Sequence, residues 1–349
     1  MDRKNIAIIF GGCSPEYEVS LNSASSVIEH LRSDIYNPIL IGITREGEWF
    51  RYYGSVDKIR DNTWFETDKC VPVAFSQSRS VHGFYEFKKG GAGVTYVDAA
   101  FPVLHGKNGE DGTVQGMLEL AGIPFVGCGT LCSALCMDKE LAHQIAQTAG
   151  VRTPISISAE KGIPLQEIIL QAETLGFPVY VKPARAGSSF GITRVNSGEK
   201  LEKAIITAFE YDNKIVIEEN IDGFEVGCAV LGNDDLILGE VDEIELQDGF
   251  FDFNEKYTLK TSKIHMPARI DRSTAKRIKN TAVILYKALC CSGFARVDMF
   301  LTPKGEIVFN EVNTIPGFTA HSRYPNMLRG AGLSFESVVD RLIRLAMEK

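Results

Sequence analysis

The chain has 349 residues, 44% hydrophobic and 23% charged, and a net charge of −8 from 37 Lys and Arg against 45 Asp and Glu. That balance belongs to an ordinary folded protein of two or three domains, not to a disordered or fibrous one. No basic run is dense enough to track a phosphate backbone, and apolar runs such as residues 6–10 fall far short of the ~20 residues of a membrane span. With no signal-peptide pattern either, a cytoplasmic protein without nucleic-acid partners or membrane insertion is expected.

Residues 5–10 form an apolar run ending in Gly11-Gly12, and residues 20–31 have helical apolar spacing, so the chain opens as strand, tight turn and helix. Residues 38–44 and 97–104 read as further strands, which predicts a parallel α/β domain over residues 1–136. The dinucleotide fingerprint G-x-G-x-x-G is absent from the first turn, so nothing there indicates a dehydrogenase. Cys128, Cys132 and Cys136 recur at helical spacing with no suitable His nearby, and we read them as reduced, buried thiols in preference to a zinc site.

From Met137 the pattern changes to helices and shorter strands (residues 179–182, 191–195 and 214–219, with a helix over 199–209), predicting a small central α+β domain over 137–223. The remainder, 224–349, reads as a C-terminal α+β domain. It contains an aromatic and Lys-rich segment near 248–263, a helix over 273–289, and a final amphipathic helix opened by Ser334.

Ala295-Arg296-Val297-Asp298 and Asn310-Glu311-Val312-Asn313 flank a turn at Thr302 to Gly305, which predicts a hairpin. If Leu301 lies opposite Glu306, Asp298 faces Phe309 and Arg296 faces Glu311, and the two acids become diagonal neighbours about 7 Å apart at the backbone. Two carboxylates and an amide suit magnesium that also holds phosphates. An Arg296 salt bridge on a solvated face is the plainer alternative.

Lys182-Pro183 closes a strand before the small-residue loop Gly187-Ser188-Ser189, which offers a cation, N–H groups and hydroxyls to phosphates, although a P-loop motif is absent. Glu218 and Glu225 flank the expected domain crossing, and Lys139 opens a helix. His105 starts the polar glycine loop His105 to Gly112 at a strand end, a common place for ligands in α/β proteins.

Together, Phe10-Gly11-Gly12-Cys13-Ser14-Pro15-Glu16-Tyr17-Glu18-Val19-Ser20, the His105 loop, Lys182-Pro183 with Gly187-Ser188-Ser189, Lys256-Tyr257, Arg296-Val297-Asp298, residues 310–318 and His321-Ser322 resemble the D-alanine:D-alanine ligase family of the ATP-grasp fold, over nearly the whole chain. The resemblance implies an enzyme that uses ATP and two Mg2+ ions, with Mn2+ as a possible substitute, to join D-alanine to a second D-amino acid through an acyl phosphate. It implies Lys139, Lys182, Ser189, Glu218, Glu225, Lys256 and Asn310 around the nucleotide, and Asp298, Glu311 and Asn313 on the metals. It also implies Glu18 on the ammonium of the first D-alanine, linked to Ser188 and Tyr257. Arg296 and the Gly317 N–H would take the oxyanion, and Val19, His105, Ser322 and Arg323 would line the amino-acid sites. A homodimer is expected by analogy.

Ser322-Arg323-Tyr324-Pro325 is similar to the vancomycin-resistance ligases, where Arg323 replaces an apolar residue of the housekeeping enzymes. The retained Lys256-Tyr257 pair is similar to the D-alanine:D-serine ligases and unlike those making D-alanyl-D-lactate. D-Serine is therefore the expected second substrate, with Arg323 near its hydroxyl; the competing reading is that Arg323 merely pairs with an acid, Asp242 or Glu243, and reshapes the pocket without reading the hydroxyl. A housekeeping D-alanine:D-alanine ligase and a non-catalytic nucleotide-binding module are the alternatives.

Overall fold

The structure, a computed structural model, describes residues 3–246 and 262–348. Its first sheet contains β1 (Lys4–Gly11), β2 (Tyr36–Ile43), β3 (Trp49–Tyr52), β4 (Cys70–Phe75), β5 (Gly83–Lys88), β6 (Gly91–Tyr96) and β7 (Ala99–Pro102), side by side in the order β6-β5-β4-β3-β2-β1-β7. β1 lies parallel between β2 and β7, and Ile6 to Phe10 are wholly buried because both faces of this central strand are covered. The helix Tyr17–Glu29 makes the crossover that a parallel pair needs. The expected parallel domain is thus only its core: β2 to β6 run antiparallel, joined by short turns such as the one through Gly90 and Gly91, both at positive φ. Short, partly exposed strands with weak alternation carry little sequence signal, and β6 is almost entirely exposed.

The second sheet, β8 (Ser156–Glu160), β9 (Val179–Pro183), β10 (Thr193–Val195) and β11 (Lys214–Glu219), is antiparallel in the order β10-β9-β11-β8. Helices Leu165–Glu173 and Leu201–Tyr211 bury Ile168, Ala172, Leu201 and Ile205 against it. The third contains β12 (Phe224–Leu231), β13 (Ile237–Leu238), β14 (Asp242–Leu246), β15 (Ser262–His265), β16 (Phe294–Leu301) and β17 (Ile307–Asn313), ordered β15-β14-β12-β16-β17 with β13 on β12. The helix Arg272–Ala288 covers it, its N-terminus capped by the Asp271 carboxylate, which accepts from the N–H groups of Ser273 and Thr274.

The last helix, Phe335–Met347, is capped by Ser334 as its sequence predicts, yet its apolar face does not stay with the neighbouring third sheet alone. Val338, Leu342 and Ile343 share one core with Ile6, Ile8 and Phe10 of β1 and with Phe294 of β16. The Tyr36 hydroxyl donates to Asp340 at 2.8 Å, tying β2 to that helix. Chain start and chain end are therefore one hydrophobic body. Among the described residues, no helix is long and apolar enough to cross a membrane.

Candidate active site

A cleft of about 530 Å³ between the second and third sheets is lined by Lys139, Lys182, Glu218, Glu225, Asn310 and Glu311, with Ser189 at its edge. The antiparallel register sets Val216 opposite Lys182, so Lys182 and Glu218 project from one face, and the Lys182 ammonium donates to Glu218 at 2.5 Å. Burial opposes ionisation of Glu218, but Lys182 and then His143 overcome it and lower its pKa. Lys139 reaches the carbonyl of Ala186 at 2.8 Å, which holds the Gly187 loop near the cleft. His143 donates from Nε2 to the carbonyl of Asn310 at 2.9 Å and turns its Nδ1 toward Glu218. That Nδ1 and Glu218 Oε1 lie 3.9 Å apart, both buried and both without a hydrogen-bond partner among the described residues. Two ammonium groups for phosphates and an unsatisfied buried carboxylate oxygen for an amine make a donor set that fits ATP.

The β16–β17 hairpin forms, with a different register from the one expected. Leu301 pairs with Ile307 instead of Glu306, and a bulge next to Asp298 leaves Asn310 as the extra residue. The result is that Asp298 stands directly opposite Glu311, and Arg296 opposite Asn313. The bulge lets Asn310 turn its carbonyl to His143 while Phe309 stays buried. Asp298, 1% exposed, accepts from Arg296 Nε at 2.8 Å and Nη2 at 2.7 Å and from the Asn313 amide at 2.9 Å. The salt bridge and the acid cluster are therefore one arrangement, with two opposed carboxylates and an amide whose nitrogen is engaged by Asp298. Such hard oxygen donors fit magnesium.

At the first-sheet end of the site, the structure corrects the position of the inward carboxylate. Glu18 points outward, half-exposed, and pairs with Arg45. The residue that receives the Ser188 hydroxyl is Glu16, buried at the start of the same helix. Ser188 and Ser189 both have positive φ, and Gly187 lies so near Glu16 that an added Cβ would stand 3.0 Å from its carboxylate. The sequence did contain a signal, since residues two apart on a helix cannot share a face and only one of Glu16 and Glu18 can point inward. Val19 is half-buried on that helix.

His105 is buried and acts on the loop that follows β17. Its Nδ1 lies 3.0 Å from the Ile315 carbonyl and its Nε2 3.3 Å from the Ser23 hydroxyl, while Ser23 accepts from the Phe318 N–H at 3.2 Å. A carbonyl only accepts, so the proton sits on Nδ1 and Ser23 donates to Nε2. Burial lowers the His105 pKa to about 4, keeping the ring neutral. Glu110 accepts from Gly106 N–H at 2.7 Å and Ile315 N–H at 3.3 Å; burial, then the Glu16 charge, push its pKa up to about 8. These contacts hold Gly317 in place. Ser322 engages its hydroxyl with Thr319, accepting from its N–H at 3.0 Å.

Arg323 is clamped. Nε and Nη2 donate to Asp242 at 2.7 and 2.8 Å, Nη1 to Glu225 at 2.7 Å, and Nη2 lies 3.4 Å from Asp298. Burial works against its charge, and Asp242, Asp298 and Glu225 more than offset that, so its pKa is raised. Of the two expected arrangements the pairing with Asp242 is the one present, while Glu243 is taken by Arg269. Glu225, expected at the nucleotide, bridges the cleft and this network. Gly227 makes the network possible, because a Cβ there would stand 2.4 Å from Arg323 Nη2. Neither Gly227 nor His143 stood out in the sequence. Lys256 and Tyr257 lie outside the described residues, as does nearly all of the expected lid at 248–263.

Comparison with known proteins agrees with this geometry. Residues 5–128 match the model of the D-ala D-ala ligase N-terminus, and residues 155–344 that of the D-ala D-ala ligase C-terminus. The chain is 46% identical over 354 residues to the vancomycin B-type resistance protein VanB of Enterococcus faecalis, covering 100% of both. It is 41% identical over 357 residues to the D-alanine–D-alanine ligase of Caldicellulosiruptor bescii, covering 100% of this chain and 96% of that one. The crystal structure of the VanG D-Ala:D-Ser ligase from Enterococcus faecalis superposes with a TM-score of 0.91 at 58% identity, covering 99% of this chain and 100% of that one. Three sheets, the cleft between the last two, and both halves of the chain place this protein in the D-alanine:D-alanine ligase family, as an ATP-dependent ligase of the ATP-grasp fold.

Proposed function

We propose that this ligase joins D-alanine to D-serine. In the first step the γ-phosphoryl group of ATP moves to the D-alanine carboxylate, giving ADP and an acyl phosphate. The amine of the second amino acid then attacks the acyl carbon, loses its proton, and inorganic phosphate leaves. Lys139 and Lys182 neutralise charge during phosphoryl transfer, Glu218 takes the adenine amine, and Ser189 and Asn310 frame the nucleotide. Asp298, Glu311 and Asn313 would hold Mg2+, which supplies charge neutralisation at the phosphates. Glu16, joined to Ser188, pairs with the ammonium of the first D-alanine, the role the sequence had suggested for Glu18. Arg296 and the Gly317 N–H receive the oxyanion, with Gly317 positioned through His105 and Glu110.

The observation that carries the choice of D-serine is the likeness, at 58% identity over 99% of this chain, to the VanG D-Ala:D-Ser ligase. The Arg323–Asp242 pair replaces the apolar wall that favours a methyl group by a charged one, with the guanidinium itself engaged by Asp242 and Glu225. The enzyme would act in the cytoplasm as a homodimer, supplying peptidoglycan precursors with altered ends and so glycopeptide resistance. The test is product mass after incubation with ATP, Mg2+, D-alanine and equimolar D-serine and D-lactate. D-Alanyl-D-serine should dominate; D-alanyl-D-alanine as the main product supports the housekeeping alternative, and no phosphate release with any pair supports the non-catalytic one.

A further inference from the structure

Away from the cleft, four thiols from separate parts of the chain converge. Cys132 and Cys136 lie one turn apart on the helix Thr130–Met137, Cys128 precedes that helix, and Cys291 follows the helix Arg272–Ala288. The chain enters Cys291 through Cys290, whose φ of 57 is left-handed and which turns that segment inward. Cys132 Sγ lies 3.5 Å from Cys291 Sγ and 3.8 Å from Cys136 Sγ, and the sulfurs of Cys128, Cys132 and Cys291 all fall within 4.8 Å of one another. Sulfurs held on one zinc ion at a Zn–S length of about 2.3 Å stand about 3.8 Å apart in a tetrahedron. The spacing is therefore already that of a shared metal. The backbone brings Cys291 in from 159 residues away, which is why the run Cys128, Cys132, Cys136 resembles no zinc motif in sequence.

We propose that Cys128, Cys132 and Cys291, with Cys136 alongside, form a site for a soft, thiophilic cation of the zinc or copper(I) class, separate from the magnesium site of the cleft. Oxygen ligands serve the latter and thiolates the former, so the two select different ions. Binding replaces the S–H protons by the metal, and the released protons leave to solvent; no redox partner is involved. A surface pocket lined by Thr130, Leu131, Cys132, Cys290 and Ser292 gives an entry path. Because Cys128 and Cys291 belong to segments far apart in sequence, the ion would staple the end of the first α/β region to the third sheet.

The experiment adds Co2+ to the reduced, full-length enzyme under anaerobic conditions, followed by Zn2+ and Cu+ as competitors. Thiolate-to-cobalt charge-transfer absorption at about one equivalent per chain is expected, displaced by Zn2+ or Cu+, because cobalt on the oxygen ligands of the cleft produces no such band. C132S and C291S should lose at least nine-tenths of the band, and C13S, which removes an exposed thiol elsewhere, should keep it. Absence of the band in the wild-type enzyme, or its survival in a C132S/C291S variant, overturns the proposal. The wild-type spectrum decides the matter even if a variant fails to fold.

Discussion

Arg323 and Asp242 form a two-point ion pair in the interior, Nε to Oδ2 at 2.7 Å and Nη2 to Oδ1 at 2.8 Å, with Asp242 only 1% exposed. Planar guanidinium and carboxylate groups match in this geometry, and lysine cannot reproduce it. Removing one partner leaves an uncompensated buried charge. Arg323→Met should therefore destabilise the enzyme by about 3–5 kcal/mol, and adding Asp242→Asn should restore part of it. Thermal or urea unfolding of the three proteins measures this. In Arg323→Lys the preference for D-serine over D-alanine, as the ratio of kcat/KM values, should fall about tenfold, the equivalent of one lost charged hydrogen bond.

Glu16 and Glu18 are separable by experiment. Glu16→Gln removes the carboxylate that holds Ser188, and should lower kcat/KM for the first D-alanine by about 10- to 100-fold, as loss of a hydrogen bond to a charged group predicts. Glu18→Gln, which breaks only a half-exposed pair with Arg45, should change it by less than about twofold. Equal effects would return the role to Glu18.

The opposed acids of the hairpin predict a metal-dependent loss. Glu311→Gln should lower turnover by at least about 100-fold and raise the Mg2+ concentration needed for half-maximal rate, because a metal held at those acids, and the phosphates it would neutralise, would depend on that charge. A Mg2+ titration of rate in both proteins checks it; an unchanged Mg2+ requirement counts against metal ligation.

His105 predicts a pH dependence of stability. Its pKa falls from 6.5 to about 4 on folding, so between those values the unfolded chain binds a proton that the folded chain refuses. Stability is complete above pH 6.5 and declines as pH falls toward 4, by about 3 kcal/mol for this group. The difference in stability between the wild type and His105→Asn, from urea unfolding at pH 7 to 4.5, should show the decline, because the raised pKa of Glu110 acts in the opposite sense in both proteins over that interval.

Sequence alone determined which chemistry is present: the central buried strand, whose unbroken apolar run needs cover on both faces, the capped final helix, and the carboxylates, lysines and glycine turns of the cleft. These are local properties, set by period, capping and side-chain type. What it left undecided were the choices that depend on partners distant in the chain. The hairpin register turned on a bulge at Asn310, and the inward carboxylate on which helix face met Ser188, some 172 residues away. The state of Arg323 depended on Asp242, 81 residues before it, and on the room that Gly227 leaves. The four thiols met only because the segment after the helix Arg272–Ala288 packs against the helix Thr130–Met137. Such contacts follow from how packed elements fit together in three dimensions, and no local spacing encodes that fit.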